Sequence, residues 1–274
     1  MRLLIQDGVQ FFGENDKLRI ATEYYRALLG HPSPSLPTVD LSQLYGSADL
    51  GALEEPFTWA EIATAIKKSP NNRSPGPDGF TNEFYKCFKE VLKEDLMRLF
   101  QEFYELGSNF HGINVANVVL IPKKEAPTDI RDFRPISLVH SLPKLITKVL
   151  AARLQRLIPA MIHPLQLGFL PGRCIIENFM LAAELVQQGA KRKKPMIVLK
   201  LDFRKAFDSV SWDALFQIFQ ARGFGSRWNH WISNIFTSSS SQVLLNGQIG
   251  EKIQSKCGLR QGGCTVTLSF HTSC

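Results

Sequence analysis

Apolar residues recur at helical spacing in five stretches of the chain, and most of these carry a recognisable start or stop. "KLRIATEYYRALLG" ends on Gly30, the position expected of a helix C-terminal cap. "FTWAEIATAIKKS" has Thr58 at its start and Glu61 three residues on, a capping-box pattern, and stops at Pro70. Phe84, Phe88, Val91 and Leu92 predict a third helix. In the longest stretch, from Leu142 to Ile158, the apolar residues define one helical face. Arg153 falls inside that face, so its guanidinium must pair or snorkel. "SVSWDALFQIFQARGFG" is a helix capped near Ser209 or Ser211 and closed at Gly223.

Other stretches read as strands. "NVANVVLIPKK" is a short β-rich run ending in Pro122 and two lysines. Met196 to Leu201 is a continuous apolar run, predicting a buried strand over 196–203 that ends on the acid Asp202. "SQVLLNGQIGEKIQ" is a hairpin with Asn246-Gly247 at its turn. Three prolines in "HPSPSLPTVD" make a linker or an extended surface loop, and Ser74 to Gly79 ("SPGPDG") forms a rigid turn. Interspersed strands and helices with an antiparallel hairpin predict an α+β fold. Neither standard phosphate-binding glycine loop is present.

Composition narrows the function. The chain has 274 residues, 44% hydrophobic and 21% charged, values of a globular protein with a real core. No apolar run approaches the roughly 18 residues of a membrane helix. The start "MRLLIQDGVQ" reaches Asp7 too soon for a signal peptide. The five cysteines show no metal-type spacing, and an odd count argues against a disulfide framework. An intracellular protein, nuclear or cytoplasmic, is expected. The net charge of +7 suits a polyanion partner, and eight Lys or Arg against three Asp or Glu between Lys123 and Arg156 concentrate it. "KRKK" at 191–194 reads as a nuclear-localisation signal, a nucleic-acid contact or a solvated loop.

An acid at the end of a buried strand suits magnesium, which takes carboxylate oxygens, waters and substrate phosphates. Phosphoryl transfer to a polynucleotide uses two such metals about 4 Å apart. Taken singly, Asp202 fits equally a helix cap or an ion pair with Arg204 or Lys205, and Asp208 fits a cap or turn.

The order of the segments decides between these readings. "RSPGPDGFTNEFYK", "VVLIPKK", "DFRPISLVHSLPKLITKVLAARL", "QLGFLPGR", "LKLDFRKAFDSVSW", "VLLNG" and "GLRQG" follow one another over roughly residues 50 to 262. In this the chain resembles the reverse transcriptases of LINE-type (non-long-terminal-repeat) retrotransposons, of the kind familiar in plants. A group II intron maturase would share the polymerase core, but "SPGPDG" and "DFRPISL" favour the retrotransposon branch. The resemblance implies a right-hand polymerase: a helical N-terminal extension at 1–69, fingers at 70–190 and a partial palm at 191–262, with the thumb absent. It implies that Asp202 and the carbonyl of Phe203 bind magnesium. It makes Phe207 the bulky gate that excludes a ribose 2′-hydroxyl, where a core aromatic is the alternative. Lys123 and Arg134 would hold the incoming triphosphate. Gln261 and Gly262 would lie against nucleotide and template. The implied partners are an RNA template, a DNA primer and deoxynucleoside triphosphates, with no membrane.

The tail departs from this pattern. Gly263 stands where the family has an aspartate, and no Asp-Asp pair follows Asp202. Residues 263–274 admit codons that, shifted by one nucleotide, approach the family's continuation, so a frameshift or gene-model error is expected there. The N-terminal residues are too few to form the endonuclease domain that precedes this region in relatives. The expectation is a reverse transcriptase domain truncated within the palm and inactive in this form. The alternatives are a non-catalytic nucleic-acid-binding remnant and a degenerate, unstable product.

Overall fold

The computed structural model describes residues 1, 3–6, 8–32, 49–107, 110–163, 165–168, 170, 172–193, 195–201 and 207–260. A small antiparallel hairpin, β1 (Leu4–Gln6) and β2 (Val9–Phe11), precedes helix α1 (Glu14–Leu29). Four helices and two strands lie between residues 59 and 161: α2 (Trp59–Lys67), α3 (Asn82–Phe88), α4 (Lys93–Tyr104), β3 (Val115–Pro122), β4 (Phe133–Val139) and α5 (Ser141–Met161). After α6 (Ile175–Lys191) come α7 (Trp212–Ala221), α8 (Ser226–Thr237), β5 (Ser240–Leu245), β6 (Gln248–Ile249) and β7 (Ile253–Gln254). Helix and sheet are mixed, as an α+β chain requires.

The central sheet has five strands in the order β4-β3-β5-β6, with β7 also on β5. Among the described strands only β3 and β5 run parallel. Strand β4 contains Pro135, which cannot donate to a ladder, and it lies at the sheet edge where that loss is tolerated. The pairing of Val118 with Val243 turns the apolar side chains of both strands to one face. On this face a satellite core of Leu4, Ile20, Tyr25, Val243 and Ile253 fastens the N-terminal elements to the sheet. The N–H of Ile5 adds a bond to the carbonyl of Thr128 at 2.7 Å.

The larger core lies among α2, α4, α5, α7 and α8 and is unusually aromatic. Phe103 stacks on Trp231 with centroids 5.5 Å apart, and the Trp231 indole N–H donates to the Phe103 carbonyl at 3.0 Å. Arg153, the cation inside the apolar face of α5, pairs as expected. It donates to both carboxylate oxygens of Glu61 at 2.8 and 2.9 Å and to the carbonyls of Leu53, Glu55 and Pro56. Glu61 also completes the capping box with Thr58.

Several sequence expectations are revised. The single helix expected through Phe84 and Leu92 is two helices with a turn between them, and Val91 in that turn is 78% exposed. Gly30, by contrast, caps the C-terminus of α1 as expected, its N–H donating to the Arg26 carbonyl. The strand expected over 196–203 is not formed at 196–201. No strand among the described residues pairs with this segment, and Ile197 is 94% exposed. A continuous apolar run becomes a buried strand only where neighbours cover both faces, and among the described residues none does.

Candidate nucleotide and nucleic-acid site

Strands β3 and β4 form a hairpin whose tip is basic. Ile121 stands opposite Arg134, and Lys123 is two residues beyond Ile121. Side chains alternate along a strand, so Lys123 and Arg134 share one face, opposite the apolar face that bears Val118. The loop beyond is tightly organised. The N–H and ammonium of Lys123 donate to the carbonyls of Asp132 and Arg131, both at 2.8 Å. Asp129 caps the short turn Ile130–Asp132, and Lys124 pairs with Asp132 at 2.9 Å. The Lys124 ammonium and the Asp129 N–H together hold the Asp132 carboxyl down at about 2.

This geometry divides the basic tract. Lys124, Arg131 and Arg153 are each matched by an acid, Asp132, Asp129 and Glu61. The tract is therefore not one continuous cationic stripe. The exposed Arg134 and Arg156, with Lys123, leave positive charge at the hairpin tip and on α5.

A second group forms where two distant segments meet. The N–H of Leu259 donates to the carbonyl of Phe207 at 2.7 Å, and that of Gly258 to Val210 at 2.9 Å. The Trp212 indole N–H donates to the Gly258 carbonyl at 2.9 Å. A Cβ on Gly258 would sit 2.6 Å from the Asp208 carbonyl oxygen, and its φ of +74° further requires glycine. Arg260 then locks this strip to the sheet. Its guanidinium donates to Asn114 Oδ1 at 2.7 Å, to the Asn114 carbonyl at 2.8 Å and to the Ser240 carbonyl at 2.6 Å. Burial pulls the Arg260 pKa down to about 9, which still leaves it charged at neutral pH. An open cleft joins this strip, at Asp208, Gly258 and Arg260, to Pro135 and Val139 of β4.

A third feature braces the helix that follows β4. The loop Ser74 to Gly79 passes so close to the end of β4 that a Cβ on Gly76 would lie 2.3 Å from the Val139 carbonyl oxygen. Asp78 accepts from the N–H and the hydroxyl of Ser141, the first residue of α5, at 2.7 and 2.5 Å. Tyr85 bonds the same hydroxyl at 2.7 Å. Desolvation lowers the His140 pKa, with Arg260 helping and Asp78 at 3.7 Å opposing.

Among the expected site residues, Lys123 and Arg134 are brought together on the hairpin, and Phe207 is seated against Leu259. Asp202, Phe203, Gln261 and Gly262 lie outside the described residues. Among the described residues, no three His, Cys, Asp or Glu side chains cluster as a metal site. In donor chemistry the expected pair suits magnesium, since a carboxylate and a backbone carbonyl are both hard oxygen donors. Asp208, six residues after Asp202, lines the adjoining cleft. Sequence reasoning missed Arg260, Asn114 and Asp78. Their partners are far away along the chain, and no local pattern announces them.

A model of the reverse transcriptase (RNA-dependent DNA polymerase) family matches residues 121–272. The chain belongs to this family. The match covers the basic tip of the hairpin, strand β4, the Phe207–Leu259 contact and Arg260 of the reverse transcriptase domain. The domain is 32% identical over 210 residues to a transposon TX1 149 kDa protein of Xenopus laevis, covering 77% of this chain and 16% of that one. It is 27% identical over 255 residues to the Pol polyprotein of the R2DM element of Drosophila melanogaster, covering 92% and 23%. A third relative is a probable RNA-directed DNA polymerase from the X-element of D. melanogaster, 28% identical over 158 residues, covering 57% and 17%. The reverse transcriptase domain is thus of the non-long-terminal-repeat, LINE type. It spans less than a quarter of the length of these relatives. No helix among its described residues is long and apolar enough to cross a membrane.

Proposed function

We propose that this domain engages an RNA template, a DNA primer and a deoxynucleoside triphosphate for RNA-directed DNA synthesis. In this reading residues 70–190 act as fingers and 191–262 as part of the palm. Lys123 and Arg134 take the triphosphate, the guanidinium by paired hydrogen bonds and the ammonium as a point charge. The Phe207 ring excludes a 2′-hydroxyl, and Gln261 and Gly262 lie along the base pair. Asp202 and the Phe203 carbonyl would hold magnesium, which supplies charge neutralisation and activation of an attacking hydroxyl.

The observation that carries the reading is the bond between Leu259 and Phe207. It sets Phe207 beside Leu259, which supports a reading in which their two segments wall one nucleotide site. Arg260 and Trp212 hold them there.

The 274 residues hold one of the expected palm aspartates and no Asp-Asp pair after it. Taken alone they are therefore proposed to bind primer–template without extending it, because a two-metal site needs more than one carboxylate. The test pairs two assays on the 274-residue chain: salt-dependent binding of an RNA template annealed to a DNA primer, and primer extension with magnesium. Binding with a steep inverse salt dependence and no extension supports the reading. Extension would overturn the inactivity, and salt-insensitive or absent binding would overturn the function.

A further inference from the structure

A small pocket where α2, α3 and α5 meet has no use in the site above. Its polar lining is Ser69 at the end of α2, Asn82 and Tyr85 of α3, and Ser141, Lys144 and Lys148 of α5. Positions 141, 144 and 148 lie three and four residues apart on one stripe of α5, so both lysines belong to the same opening. The buried Ile66 and Leu145 give it an apolar floor, against which a charge contact is stronger than in open water. It has room for about one water-sized group, so it admits a single oxygen and neither a base nor a sugar.

The donors are set out for an anion. Lys148 donates to Ser69 Oγ at 2.5 Å, and that hydroxyl gives its proton to the Ala65 carbonyl at 2.8 Å. The Asn82 amide donates one proton to the Pro70 carbonyl at 2.7 Å and keeps a second. The Lys144 ammonium faces no acid among the described residues. No acid lines the pocket: Asp78 is turned to Ser141, and Glu83 to the Asn72 N–H. Lys68 adjoins Ser69 in the chain and Lys86 adjoins Tyr85, which adds positive charge to the same corner.

We propose that this pocket holds one backbone phosphate of a single-stranded nucleic acid, with Lys144 and Lys148 on a phosphate oxygen and the Asn82 amide as third donor. The proposal rests on the reading of this domain as one that engages nucleic acid. An ammonium is a point charge that suits an oxygen entering from one side, and the size of the pocket leaves the rest of the strand outside. A strand is favoured over a free phosphate because Lys144 also lines the cleft beside Gly258 and Arg260. It stands between pocket and cleft, so a strand that reaches the cleft passes the pocket. A contact of this kind positions the strand without reading its sequence, and RNA and DNA satisfy it alike.

The test is filter binding of single-stranded RNA to the full chain without deoxynucleoside triphosphate, for the parent, Lys144→Gln, Lys144→Arg and Arg19→Gln. Lys144 is varied because Lys148 also braces Ser69. Lys144→Gln is expected to raise the dissociation constant about fivefold and to flatten its salt slope by about 0.7, the value for one phosphate of a single strand. Lys144→Arg keeps the charge and should recover most of the affinity. Arg19→Gln removes one charge from α1, where Arg19 pairs with Glu23, and should stay near the parent. Thermal melts in phosphate and in chloride at equal ionic strength give a readout that needs no nucleic acid: phosphate should raise the midpoint of the parent more than that of Lys144→Gln. RNA binding unchanged in Lys144→Gln, or weakened equally in Arg19→Gln, overturns the pocket and leaves the proposed function standing. A parent that binds no RNA overturns that function and the strand with it. Phosphate melts that still differ would then assign the pocket to a free anion, and melts that do not differ would remove the pocket too.

Discussion

Asp78 Oδ2 accepts the backbone N–H of Ser141 at 2.7 Å, across 63 residues of sequence. The carboxylate thereby satisfies one of the free N–H groups that open α5 and sits where the helix dipole favours negative charge. The Ser141 hydroxyl donates to the same oxygen, so the Tyr85 hydroxyl must donate to Ser141. A proline- and glycine-rich turn that looks merely rigid in sequence is a clamp on the start of the longest helix.

Removing that clamp should cost stability without touching the nucleotide site. Asp78→Ala is expected to lose about 1–2 kcal/mol, as loss of a helix-capping acceptor does, and Asp78→Asn about half of that because an oxygen acceptor remains. Gly76→Ala should be worse than either, since its methyl group meets the Val139 carbonyl. Urea midpoints of the three variants check the order. An Asp78→Ala chain as stable as the parent would remove the clamp.

The Arg153–Glu61 pair makes a second claim on stability, with a defined pH dependence. Burial opposes ionisation of Glu61, but the Arg153 hydrogen bonds and the Thr58 N–H outweigh it and hold the carboxyl at about 2 instead of 4.5. A carboxyl depressed by folding contributes stability that is present above 4.5 and lost as pH falls toward 2. His140, depressed by burial, also withdraws stability as pH falls below 6.5, since the unfolded chain takes up the proton more readily. Glu61→Gln should therefore flatten the fall below pH 4.5 while leaving the part nearer pH 6 unchanged. Arg153→Ala, which abandons a carboxylate and three carbonyls, should cost about 3–5 kcal/mol. Thermal melts of both variants across pH 2–7 test this.

The sequence made some of this legible because the governing interactions are local. The capping box at Thr58, the cap at Ser211 and the Asn246-Gly247 turn each depend on residues at most three apart, and all three form as read. Arg153 was readable as a paired cation because a charge on an apolar helical face has few other fates. Elements whose existence depends on partners were not. Strand β4 contains a proline and lacks alternation, and it forms because β3 offers it an edge. The run from Met196 to Leu201 reads as a strand in isolation and is none, with no covering strand among the described residues. At the site, the basic residues were legible by type, whereas Arg260 gave no signal, its three acceptors lying 20 and 146 residues away.

Arg260 carries the next prediction. Arg260→Met would leave Asn114 Oδ1 and the carbonyls of Asn114 and Ser240 short of a donor, at a cost of about 2–4 kcal/mol. Arg260→Lys should recover only part, because an ammonium cannot span three acceptors as a planar fork does. The Ser240 amide, bonded to the Asn114 carbonyl at 3.0 Å, reports the change. Its hydrogen exchange should accelerate in both variants, more in Arg260→Met. Unchanged protection would mean that the strip 258–260 is held by Trp212 and Phe207 alone.

The last prediction separates charge that meets nucleic acid or nucleotide from charge spent inside the fold. Lys123 and Arg134 share a face at the hairpin tip, whereas Arg131 is matched by Asp129 and Lys124 by Asp132. Each cation that releases a counterion on binding steepens the dependence of affinity on salt by about one power, so its removal should flatten that slope by about one. Lys123→Ala and Arg134→Ala are therefore expected to weaken triphosphate-dependent retention of primer–template and to flatten its salt dependence. Arg131→Ala should leave both near the parent values, because Asp129 already neutralises it. Filter binding at four salt concentrations, with and without a deoxynucleoside triphosphate, distinguishes the two classes. Equal losses at all three positions would mean that the hairpin acts through net charge alone, and the assignment of Lys123 and Arg134 to the triphosphate would fall.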